Sequence, residues 1–109
     1  MSVSELSRDG ECRLAVEGEL DMAGAPMLLA ELERFESARP DGVLAVDLAG
    51  VTFMDVAGMR VLLGAAERAH RRGARFVIYN PRRIAQRVFS LTAVDQQLEI
   101  LFDDDAPVP

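Results

Sequence analysis

The apolar and polar positions of this chain change period several times, and each change marks an element. Residues 11 to 20 alternate, with Cys12, Leu14, Val16, Gly18 and Leu20 on one side and Glu11, Arg13, Ala15, Glu17 and Glu19 on the other. That is the period of a strand with one wet face. A short strand over residues 3 to 7 precedes it, and Arg8-Asp9-Gly10 reads as the turn of an antiparallel hairpin. From Pro26, favoured in a first helical turn, the period becomes helical. Leu28, Leu29, Leu32 and Phe35 form its apolar stripe, while Glu31, Glu33, Arg34 and Glu36 face water. Ser37 to Gly42 ends that helix. Val43 to Leu48 is a run of β-formers with one acid, Asp47, as expected of a strand covered on both faces. A break at Ala49-Gly50 and an apolar connection, Val51 to Met54, lead to Asp55, a good N-cap for a helix over Val56 to Arg72 that stops at Gly73.

The small residues Gly58, Ala65 and Ala69, with Val61 and Leu62, form the inner face of this helix, and Arg60, Glu67, Arg68 and Arg71 its outer face. Arg75 to Tyr79 is the next strand. Asn80 then serves as N-cap and Pro81 as the first residue of a helix with Ile84, Ala85, Val88 and Phe89 inward and Arg82, Arg83 and Arg87 outward. A turn over residues 91 to 95, a brief helical piece after Asp95 and a strand from Leu98 to Phe102 complete the pattern. The end of the sequence, DDDAPVP, reads as a disordered acidic tail. The expectation is one α/β domain over residues 1–102 with a tail over 103–109. Its N-terminal antiparallel hairpin is followed by β-α-β units, giving a mixed sheet with helices packed on it.

Charge narrows the function. The formal net charge is −6 over 109 residues, which argues against a general nucleic-acid binder. Residues 1–55 carry 12 acids and 4 arginines, whereas residues 60–87 carry 8 arginines and only Glu67, so an acidic partner could read the second half. No apolar run is long enough to span a bilayer, and MSVSELSRDG has no signal-peptide core, so a cytoplasmic location without membrane association is expected. Cys12 shares the parity of the core residues and His70 sits in an arginine-rich helical turn, so neither suggests a nucleophile or a metal ligand. The sequence contains no phosphate-cradling glycine loop, no nucleophile elbow and no lysine. It therefore predicts no enzyme, no cofactor and no metal site.

What remains is a binding surface. The loops after the second and third strands end on the same side of the sheet if those strands are parallel. They bring Asp21 and Met22 beside Asp55, Val56, Ala57, Gly58, Met59 and Arg60, with Met22 and Met59 as exposed, adaptable apolar contacts.

Three segments, GELDMAGAP (18 to 26), DLAGVTFMDVAGMRVLLGA (47 to 65) and RRGARFVIYNP (71 to 81), resemble the STAS domain of the anti-sigma-factor antagonists of bacterial partner switching. The resemblance covers nearly the whole chain. It implies a STAS-like fold and a partner that is an anti-sigma factor of the GHKL serine-kinase type, which would reverse binding by phosphorylating a serine or threonine just before the helix glycine. Here that box is Asp55-Val56-Ala57-Gly58, so the acceptor position holds Ala57, which cannot be phosphorylated. An alternative is a STAS subunit of another complex such as a transport ATPase. The oligomeric state, monomer or weak dimer, stays open.

Overall fold

The computed structural model describes residues 1–8, 10–39, 42–93 and 95–104. The elements run β1 (Ser2–Arg8), β2 (Glu11–Leu20), α1 (Ala25–Ala38), β3 (Val43–Met54), α2 (Val56–Arg71), β4 (Arg75–Tyr79), α3 (Arg83–Leu91), a 3-10 turn (Asp95–Gln97) and β5 (Glu99–Leu101). This is the predicted order of elements. Asp9, Pro40, Asp41 and Val94, all expected in turns, and residues 105–109 of the expected tail lie outside the described residues.

The five strands lie in chain order, β1-β2-β3-β4-β5. β1 pairs antiparallel with β2, and every later pair is parallel. Right-handed crossovers that always step in the same direction place all their helices on one face of the sheet. The core agrees: Leu14, Val16, Leu20, Leu44, Val46, Leu48 and Ile78 form one buried cluster with Leu28, Leu32 and Phe35 of α1, Leu62 and Ala65 of α2, and Phe89 of α3.

The opposite face carries no helix, so the expectation that β3 is covered on both faces is met in an unexpected way. Ala45 and Asp47 are buried on that face beneath polar side chains. Arg13, expected on a wet face, is only 3% exposed. Its guanidinium stacks on the Tyr79 ring at 3.4 Å and donates to Glu11 Oε1 (3.1 Å) and to both carboxylate oxygens of Asp103 (2.6 and 3.0 Å). Asp47 lies 3.6 Å from the same guanidinium. Asp103 thus belongs to the folded unit, not to the tail in which the sequence placed it.

Further expectations change as well. β3 continues through Ala49-Gly50 because two register shifts against β2 absorb extra residues, and Gly50 leaves room for Glu17, whose Cγ lies 2.6 Å from where a Cβ would stand. Glu36, expected in water, is buried, accepting from Arg68 Nε (3.1 Å) and Arg72 Nη1 (3.4 Å) and so tying α1 to α2. Arg68 accordingly leaves the outer face of α2. Asn80 does not cap α3: its backbone is left-handed (φ 56°), and its side chain pairs with Asp103 through Asp103 N (2.9 Å) and Oδ2 (2.8 Å). The helix begins after the buried Pro81, with Ile84 exposed.

Asp103→Ala is expected to lower the unfolding free energy by about 2 to 3 kcal/mol, because it strips a buried guanidinium of two charge-assisted hydrogen bonds. Urea unfolding measures this. The Arg13 guanidinium holds the Asp103 carboxyl down to about 2. A carboxyl depressed in this way contributes its full stability above its unfolded value of about 3.9 and loses it as pH falls through the folded value. The unfolding free energy should therefore fall more steeply between about pH 4 and pH 2 in the native protein than in Asp103→Ala. Equal slopes would assign the acid transition to other groups.

Candidate functional site

β2 and β3 end side by side, with Leu20 opposite Met54, and both chains turn there towards the helical face. After β2 the chain makes a tight loop in which Asp21 Oδ1 accepts from Gly24 N (2.9 Å) and Asp21 O from Ala25 N (2.8 Å). This self-contained turn leaves Met22 at its tip, 77% exposed. After β3, Asp55 N donates to Leu20 O (3.3 Å), so the last residue of β2 and the cap of α2 are joined directly.

Asp55 is the N-cap that the sequence indicates. Its extended backbone turns the side chain back, and Oδ1 accepts from Ala57 N (2.9 Å) and Gly58 N (3.2 Å). Two of the free N–H groups of the first turn are thereby satisfied. Gly58 fixes the position of the helix: a Cβ there would stand 2.6 Å from both Leu20 Cγ and Leu20 O. No side chain fits, so α2 sits on the end of β2 more closely than any other residue type would allow.

The predicted residues are therefore brought together, with two corrections, at Met59 and Gly58. Asp21 and Asp55 are half-buried in their turns, Val56 and Arg60 are exposed, and Ala57 lies half-exposed between them. Met59, expected to be an exposed contact, is 5% exposed and packs in the core, because it falls on the same side of α2 as Leu62. Gly58 is buried too, and shapes the surface without contributing to it. The sequence reading missed Phe53, 43% exposed. It belongs to β3, opposite Glu19, in a stretch that reads as connection in the sequence because Ala49-Gly50 reads as a break. Val51 and Met54 are both buried although three positions apart, because a register shift lies between them, and that shift hides the strand period in the sequence.

The outcome is a surface with exposed apolar Met22, Phe53 and Val56, the acids Glu19 and Asp21, and exposed Arg60. A shallow cavity of about 250 Å³ adjoins it, lined by Met1, Glu19, Asp21, Ala23, Gly24 and Met27. Among the described residues no three His, Cys, Asp or Glu side chains converge as metal ligands, and no helix is long and apolar enough to cross a membrane. The exposed apolar side chains beside charged ones offer contacts for a macromolecule.

Known proteins resemble this arrangement. The sequence profile of the family described as "Mlab, STAS domain" matches residues 4–102. An anti-sigma-B factor antagonist of Listeria monocytogenes is 31% identical over 85 residues, which cover 78% of this chain and 74% of that protein. The crystal structure of an anti-sigma factor antagonist from Mycobacterium paratuberculosis is 26% identical with a TM-score of 0.78, covering 91% of this chain and 83% of its own. A candidate anti-sigma factor antagonist of Thermotoga maritima shares the fold at 19% identity, with a TM-score of 0.79 over 94% of this chain and 87% of its own.

Gly58→Ala is expected to cost about 1 to 3 kcal/mol through overpacking against Leu20, despite the roughly 1 kcal/mol that alanine gains over glycine in a helix. Asp55→Ala should cost about 1 kcal/mol through loss of the cap. Urea midpoints compare them. A Gly58→Ala protein as stable as the parent would mean that α2 does not rest on Leu20 as tightly as described.

Proposed function

The chain belongs to the STAS domain family, and from that premise we propose that it is an anti-sigma factor antagonist whose partner is an anti-sigma factor of the GHKL serine-kinase type. The observation that carries this reading is the start of α2. Asp55 caps it, Gly58 seats it on Leu20, and Met22, Val56 and Arg60 surround it on a surface with no catalytic constellation. A scaffold so tightly held presents its contacts in advance, which lowers the ordering cost of binding.

The same place carries the second part of the proposal. Position 57 sits in the first turn of α2, half-exposed and beside the Asp55 carboxylate, where phosphate on a hydroxyl would add about −1.5 to −2 charges next to an existing acid. Such a charge would break an interface by repulsion and desolvation. Alanine has no hydroxyl to carry it. The protein then binds without being switched off at this site, and its control lies in abundance or in competition for the partner.

Incubation with ATP and the cognate kinase is expected to leave the mass of the protein unchanged; a phosphate mapped to Thr52, Ser90 or Thr92 would overturn the non-switching reading. Ala57→Ser should fold with a change in stability within about 0.5 kcal/mol, gain one phosphate and release the kinase. Arg60→Glu should weaken kinase binding in calorimetry without unfolding the protein. If neither the parent nor Ala57→Ser binds a GHKL kinase, the antagonist reading fails, and the role of a subunit in another complex such as a transport ATPase takes its place.

A further inference from the structure

We propose that the edge formed by α3 and β5 is a second docking surface, which takes an extended acidic segment of a partner protein. Among the described residues β5 is the edge strand of the sheet and pairs only with β4, so its outer backbone groups can accept a further strand. Between β5 and α3 lies a cavity of about 450 Å³, with Phe89 and Ile100 as its apolar lining and Arg83, Gln86, Arg87 and Ser90 as its polar lining. No acid lines it, although the protein as a whole carries −6.

The two arginines are one helical turn apart and repel each other. Among the described residues neither the Arg83 nor the Arg87 side chain makes a hydrogen bond or an ion pair. Two acids of the β5 segment are engaged elsewhere: Glu99 accepts from Arg75 Nε (2.8 Å), and Asp103 from Arg13. The neighbouring Arg82 donates instead to Ala49 O (2.7 Å). Exposed Ile84, Leu91 and Phe102 extend the apolar surface beside this cationic notch.

These features together specify the ligand. In a strand added to β5, residues i and i+2 point to the helical side. One of them would be apolar and enter the cavity against Phe89 and Ile100. The other would be a carboxylate within reach of Arg83 or Arg87, whose planar fork suits it. An anionic lipid surface fits less well, because a narrow notch at a strand edge favours an extended chain over a flat sheet of headgroups, and the net charge of −6 opposes approach to such a surface. β4 separates β5 from β3, so this surface lies apart from the start of α2.

The heptapeptide Glu-Thr-Val-Thr-Glu-Thr-Val presents the required pattern on one strand face, and its lysine-for-glutamate counterpart is the control. Titrated into the full chain and followed by amide chemical shifts, the acidic peptide should perturb α3 and β5, bind at least tenfold more tightly than the control, and weaken as salt rises. R83E/R87E, and the milder R83Q/R87Q with the native fold by circular dichroism, should each lose most of the affinity. Shifts confined to the start of α2, unchanged binding by both double variants, or no binding at millimolar peptide would overturn the proposal. So would arginine-dependent binding to phosphatidylglycerol vesicles without any binding of the peptide.

Discussion

Three right-handed crossovers that step the same way across a sheet leave one face of it with no helix to bury against, and the strands of this protein have to close that face with their own side chains. Arg13 is the centre of the solution. It lies flat on Tyr79, holds Glu11 and Asp103, and faces Asp47 from the neighbouring strand. Burying a guanidinium is costly unless its donors are matched, and here carboxylates from two strands and from the segment after β5 converge on it. Asn80, held in the left-handed region, completes the cluster by gripping both the backbone and the carboxylate of Asp103. The end of β4 and the exit from β5 are thereby fixed to β2, across the width of the sheet.

On the helical face, the decisive feature is the absence of a side chain. Gly58 allows α2 to rest on the carbonyl and side chain of Leu20, and the Asp55 amide bonds to that same carbonyl. The end of one strand therefore sets the height and direction of the helix that begins after the next. Met22, Phe53 and Val56 are exposed around this junction, whose turns are held by hydrogen bonds of Asp21 and Asp55 to the backbone. A rigid junction with adaptable apolar side chains on it suits the recognition of another protein.

The uneven distribution of charge acquires a structural meaning. Several of the arginines in the second half of the chain are structural: Arg68 and Arg72 hold Glu36, Arg75 holds Glu99, and Arg82 caps a strand carbonyl. Arg83 and Arg87, like Arg60 and Arg71, have no side-chain partner among the described residues, but they alone of these four stand together at one cavity. Setting aside the arginines with local duties leaves Arg60, Arg71, Arg83 and Arg87, of which the last two line one cavity and make a small cationic notch on an acidic protein, which net charge alone would conceal.

Much of the fold was legible before any coordinates. The alternation in β2, the stripe Leu28-Leu32-Phe35, the Asp55 cap and the stop at Gly73 are local signals, each decided by residues within one or two turns of each other, and the order of elements follows from them. The resemblance of the 47 to 65 segment to the STAS domain pointed to the same surface and to the missing hydroxyl at Ala57. The burial of Arg13 could not be read in this way, because its main partner is 90 residues distant, and the same holds for Glu36, 32 residues from Arg68, and for Asn80, 23 residues from Asp103. A polar residue in a periodic pattern reads as wet unless its counter-charge is also in view. Period and capping chemistry, which act along the chain, determined the elements and their order; the sides on which Arg13, Glu36, Asn80 and Met59 lie were decided only by tertiary contact, since the energy of a buried charge or a packed side chain depends on neighbours that the chain brings together only after it has folded.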